Sequence, residues 1–158
     1  MAGPRPGAYR RRMPQTHRGA TATTDPAATA APTFVVGYDG SAGAGAAVRW
    51  AAAQAAPRGR VVVVHAEHPA IPRPAASAWT SRAKAGLDAL WTVEHALGDV
   101  TVELEVAEGA PAAALCRAAR TADADGIVVG RHRDSAFNAD TVRQLLALAD
   151  RPVTVVPG

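Results

Sequence analysis

Thr33-Phe34-Val35-Val36-Gly37-Tyr38 is a short β-branched and aromatic run closed by Asp39-Gly40-Ser41, and Arg60-Val61-Val62-Val63-Val64-His65-Ala66 follows after an Ala-rich stretch. The first run has the composition of a strand and its ending that of a turn. Residues 44–56 place Val48, Ala51, Ala52 and Ala55 at three- and four-residue spacing, which predicts a helix closed by Pro57 and Gly59. Four consecutive valines leave no wet face, so 60–66 suits a strand buried on both sides of a parallel sheet. Strand, helix and buried strand in succession make a crossover unit.

The same alternation continues outward. Pro69, Pro72 and Pro74 mark a loop, after which Trp79, Ala83, Leu87, Leu90, Trp91 and Leu97 recur at helical spacing up to Gly98. Residues 100–106 set Val100, Val102, Leu104 and Val106 against Thr101, Glu103 and Glu105, the alternation of a sheet-edge strand with one wet face. Pro111 opens a helix with Leu115, Ala119 and Ala122 inward. Gly126-Ile127-Val128-Val129-Gly130 reads as a buried strand. Residues 139–149 read as a helix with Val142, Leu145, Leu146 and Ala149 on one side, and Val153-Thr154-Val155-Val156 as a last short strand after Pro152. Five strands alternating with four helices predict an α/β fold: a three-layer α/β/α sandwich around a five-stranded, mainly parallel sheet.

The chain has 158 residues, 48% of them apolar, 20% charged and 4% aromatic. That length supports one ordinary domain, with a core of Val, Leu and Ala. The domain is expected over residues 33–158. Residues 1–32 carry five arginines (Arg5, Arg10, Arg11, Arg12, Arg18) against Asp25, a net of +4, while the remainder holds 12 basic and 13 acidic groups. With Pro and Gly punctuation and little to bury, 1–32 reads as a disordered Arg/Pro/Ala-rich tail. Nucleic acid enters as a partner only through those arginines. No apolar run reaches the roughly 20 residues of a membrane helix, so no membrane partner is expected.

Several chemistries are tested by spacing and fail. Asp39-Gly40-Ser41-Ala42-Gly43 has Asp39 where a nucleophile elbow requires Gly. Gly43-Ala44-Gly45 begins a dinucleotide fingerprint, but Val48 takes the place of its third Gly. No Gly-Lys-Ser or Gly-Lys-Thr is present. His65 and His68 lack a third convergent ligand, so no metal is assigned. Cys116, the only cysteine, sits among Ala114, Leu115 and Ala118 and reads as an inert buried thiol. No catalytic residue is assigned. What stands out is position: parallel sheets bind ligands beyond the carboxyl ends of their strands, where strand order reverses. Asp39 follows the first strand and Gly130 ends the fourth. The bland alternative makes Asp39 a turn residue or helix cap, and Gly130 a strand terminus.

Val35-Val36-Gly37-Tyr38-Asp39-Gly40-Ser41 with Ala47-Val48-Arg49-Trp50-Ala51 resembles the opening of the universal stress protein family. Val62-Val63-Val64-His65-Ala66 is similar to its second strand. Glu108-Gly109-Ala110-Pro111 and Ala122-Asp123-Ala124-Asp125-Gly126-Ile127-Val128-Val129-Gly130 are similar to its third helix and fourth strand, and Arg151–Pro157 to its close. The resemblance implies an adenine nucleotide alpha hydrolase-like sheet of order 3-2-1-4-5, which sets Asp39 and Gly130 side by side at the switch point. It further implies a cytoplasmic homodimer joined through the C-terminal edge strand Val153, Thr154, Val155 and Val156, a role in stress response and no settled catalytic reaction.

Some members of that family bind ATP through a signature after strand four: Gly, two residues, Gly, nine residues, then Gly followed by Ser, Thr or Asn. Here Gly130 fills the first place, Arg133 stands in the second, and no glycine occurs from Arg131 through Pro157. The lost glycines would let main-chain N–H groups wrap a phosphate. The leading expectation is therefore a dimeric regulatory module with a degenerate site, no required cofactor and no robust ATP binding. The competing expectation is ATP, with Mg²⁺, or adenosine held by Asp39, Ala66, Val129 and Gly130 at the nucleoside end and by Thr141 and Val142 at the phosphates. In that case Arg131, His132 and Arg133 would attract the anion through side chains, opposed by Asp134 and Asp140.

Overall fold

Tyr38 N–H donates to Val64 O at 2.9 Å, extending by one residue the ladder between β1 (Thr33–Gly37) and β2 (Arg60–Glu67), which run parallel with Val35 opposite Val62. In this computed structural model residues 30–67, 81, 85, 100–131 and 136–158 are described, without the side chains of 136–138. The expected tail up to residue 29, the proline loop, most of the helix over Trp79–Leu97 and most of Arg131–Ser135 lie outside the described residues. The other elements are α1 (Ala42–Ala55), β3 (Thr101–Glu108), α2 (Pro111–Thr121), β4 (Gly126–Gly130), α3 (Ala136–Leu148) and β5 (Val153–Val156).

The strands form one sheet in the order β3-β2-β1-β4-β5, and every pairing is parallel. The expected order is the observed one. Alternation along the buried strands splits the core in two. Val36, Val61, Val63 and Val128 face α1 with Ala47, Val48, Ala51 and Ala52. Val35, Val62, Val64, Ile127 and Val129 face α2 and α3 with Leu115, Ala119 and Leu145. This two-sided burial is why the central strands read as unbroken apolar runs.

Helix bounds and two side-chain placements differ from expectation. α1 starts at Ala42 because Ser41 caps it, its Oγ accepting Ala44 N–H at 3.1 Å. α3 starts at Ala136, three residues before the expected position, and presents Leu145 to the core while Leu146 is 68% exposed. Leu146 lies 100° round the helix from Leu145, outside the stripe that α3 buries. Val100, just before β3, is buried, and Val102 and Leu104 are half-buried, but Val106, near the far end of the strand, is 37% exposed.

α2 ends through Ala122 N–H bonded to Ala118 O (2.8 Å) and Ala124 N–H bonded to Ala119 O (2.9 Å). Between them Asp123 adopts φ +48, in the left-handed region where a Cβ costs about 1 kcal/mol. Its carboxylate meets Arg151 at 3.2 Å, but the Asp123 side chain is 90% exposed, so that pair contributes little. Asp123→Gly is expected to raise stability by roughly 0.5 kcal/mol. A lowered denaturation midpoint would show that the ion pair outweighs the backbone strain.

Candidate functional site

The switch point lies where β1 and β4 run side by side, with Gly37 opposite Val129, and their chains turn away to opposite faces of the sheet. On the β1 side, Asp39 Oδ1 accepts Ser41 N–H at 2.9 Å, folding the turn back on itself before α1. Gly40 completes it at φ +83. Asp39 is thus a turn residue and Ser41 the helix cap, and the Asp39 side chain is exposed at the mouth of the crevice.

His65, expected in the second strand and a candidate metal ligand by sequence, is a buried polar side chain at this end of the sheet. Its Nδ1 lies 2.9 Å from Tyr38 O. A carbonyl can only accept, so Nδ1 carries the hydrogen in this bond. It ties the end of β2 to the last residue before Asp39. Burial pushes the Tyr38 phenol above its ordinary range, and the Asp39 charge adds to the shift. Ala66, the next residue on β2, is half-buried opposite Ala107.

The β4 side is closed by backbone. A Cβ on Gly130 would lie 2.0 Å from Gly43 O and 2.5 Å from Ala44 N, so the first turn of α1 rests on the bare Cα of Gly130. A Cβ on Gly43 would in turn meet Arg131 O at 2.6 Å. The lack of a side chain at Gly130 is used for helix–strand packing. Gly43 was legible as unusual: glycine inside an Ala-rich helix costs about 1 kcal/mol against alanine, which signals a close approach. Arg131 N–H donates to Val156 O at 2.7 Å, so the first amide past β4 is already bonded to β5.

Val129 is buried among Val35, Leu115 and Leu145. Thr141 and Val142 lie in the second turn of α3, not at its N-terminus as expected, since the helix begins at Ala136. The amides of a second turn are bonded within the helix, leaving its free donors nearer 136–139. Val142 packs half-buried against the α2–α3 core. The structure thus gathers Asp39, Ala66 and Gly130 around the strand ends and turns Val129 and Val142 into the core. Cys116 is a free thiol buried on α2, and desolvation raises its pKa. Among the described residues no group of His, Cys, Asp and Glu is arranged to hold a metal ion, and no helix is long and apolar enough to cross a membrane.

Sheet order and crevice define a doubly wound α/β protein of the adenine nucleotide alpha hydrolase-like kind. The profile of the universal stress protein family matches residues 32–157, and the chain belongs to that family. A universal stress family protein from Burkholderia pseudomallei is 26% identical, with a TM-score of 0.63 over 81% of this chain and 97% of that one. A universal stress protein solved in complex with cAMP is also 26% identical, with a TM-score of 0.55 over 82% and 98%. A family protein from Arabidopsis thaliana with AMP bound shares the fold at 15% identity, with a TM-score of 0.58 over 80% and 91%. No curated protein sequence matches the chain.

Proposed function

We propose that this protein is a cytoplasmic, dimeric stress-response module that works by binding rather than turnover, and that it does not hold ATP through the main chain beyond β4. The observation that carries this reading is the bond from Arg131 N–H to Val156 O, beside Gly130 packed against Gly43. A phosphate cradle needs consecutive free amides and a backbone able to curl around the anion. Here the first amide is taken, and residues 131–157 contain no glycine. Calorimetry with ATP and Mg²⁺ is expected to give a Kd weaker than about 1 mM, roughly −4 kcal/mol. Micromolar affinity that falls on Asp39→Ala would overturn the reading.

The cAMP and AMP found on the two relatives favour a second reading, in which Asp39 and Ala66 contact the nucleoside of a monophosphate. Neither ligand demands a triphosphate cradle. Titration with cAMP and AMP beside ATP separates the two readings: monophosphate binding abolished by Asp39→Ala supports the second.

Assembly is proposed through β5. Among the described residues it is the outermost strand on its side of the sheet, and Val155 on it is 41% exposed. An unpaired edge with an outward valine invites a second copy. Val155→Lys is expected to weaken self-association at least about tenfold in sedimentation, because two lysines would meet across the twofold axis. Unchanged assembly would remove β5 from the interface.

A further inference from the structure

β3 forms the opposite edge of the sheet among the described residues. Thr101 N–H donates to Gly59 O and Gly109 N–H to Glu67 O, both at 3.0 Å, with β2 and β3 in step between them. Odd-numbered amides of β3 therefore face β2, and those of Val102, Leu104, Val106 and Glu108 point away from the sheet. β3 is the end strand of the sheet among the described residues. Glu105 and Glu108 on it are exposed, and Glu103 is half-buried, 3.9 Å from Arg60. A strand with free donors and projecting carboxylates suits a cationic extended segment.

The chain itself contains such a segment, attached at the right place. Thr33 lies opposite Arg60, which lies opposite Thr101, so the chain enters β1 at the end of the sheet where β3 begins. Pro32 O accepts Arg60 N–H at 2.9 Å, which fixes that entry point. From β1 to a position outside β3 is roughly 15 Å, three strand spacings. Residues 19–32 can span roughly 45 Å when extended. Residues 10–18 would cover roughly 30 Å, and the eight residues of β3 cover about 26 Å.

We propose that residues 10–18 dock along the free edge of β3 as an antiparallel strand, with Arg10, Arg11 and Arg12 beside Glu105 and Glu108. The antiparallel direction ends the segment near Thr101, on the side of the sheet where the chain enters β1, and so needs the shorter tether to Thr33. Pro14 fits an outermost strand, where its missing N–H can face solvent. Tethering holds the segment at an effective concentration on the order of millimolar. Docking would cover the acidic edge and leave β5 as the exposed one.

Amide hydrogen exchange on the full chain tests this. Leu104 and Val106 amides are expected to exchange about tenfold more slowly in the parent at low salt than in the triple variant Arg10→Ser, Arg11→Ser, Arg12→Ser. The protection should also vanish in 1 M NaCl, where the Debye length is about 3 Å, and in the double variant Glu105→Gln, Glu108→Gln. Val128, in the central β4, serves as an unchanged control. Equal exchange in parent and variants would overturn the proposal, as would protection that survives loss of the arginines. The competing partner for the arginines is nucleic acid. Oligonucleotide affinity identical in the parent and the glutamine variant would assign them to it and also overturn the proposal.

Discussion

Gly130→Ala is expected to destabilise the fold by about 3 kcal/mol or more, a fall of roughly 10 °C in Tm. The new Cβ would stand 2.0 Å from Gly43 O, 2.1 Å from Gly43 C and 2.5 Å from Ala44 N. These are backbone atoms in the first turn of α1, held by the Ser41 cap and by the Gly45 N–H bond to Ser41 O at 3.0 Å. They cannot move aside by rotating a side chain, so the helix itself must shift off the sheet. Gly126→Ala, at the other end of β4, is the internal control. Its Cβ would find Pro152 O at 3.4 Å and the Phe34 ring at 3.5 Å, both ordinary contacts. That change is expected to cost less than about 1 kcal/mol. Denaturant midpoints at unchanged m-value make the measurement. Similar losses for the two alanines would mean that α1 does not rest on Gly130 and would weaken the case for a closed crevice.

Leu145→Ala is the second large effect, at about 3 kcal/mol. Leu145 is fully buried with Leu115, Ile127 and Val129, and it is the one fully buried leucine through which α3 meets the sheet core. Removing it leaves a cavity beneath α3, beside the half-buried Val142 and, just after the helix, Ala149. Leu146→Ala, one residue on, is expected to change stability by less than about 0.5 kcal/mol. Both leucines fit an apolar helical face on paper, and only the packing distinguishes them. Equal costs at the two positions would mean that α3 is rotated from the orientation described.

At the switch point Asp39 and Ala66 lie at the strand ends, and the first amide past β4, that of Arg131, is bonded to Val156 O. Leu146 and Leu148, 68% and 55% exposed on α3, leave apolar surface on the same protein whose β5 edge is open.

Sequence periodicity alone determined the strands, the parallel sheet and the layer order of this protein. Continuous runs such as Val61–Val64 and Ile127–Val129 can satisfy burial on both faces only between two helical layers. The order 3-2-1-4-5 came from the family resemblance, and the edge position of β3 was visible in its alternating glutamates. Tertiary structure alone decided how the strand ends are used. Gly43 and Gly130 lie far apart in the chain, and nothing local says that each is small because of the other. The same holds for His65, whose bond to Tyr38 O depends on the register between two strands, and for Leu145 over Leu146. Local composition is set residue by residue through period and propensity. Close packing is a property of pairs of surfaces, and only the assembled sheet and helices bring those surfaces together.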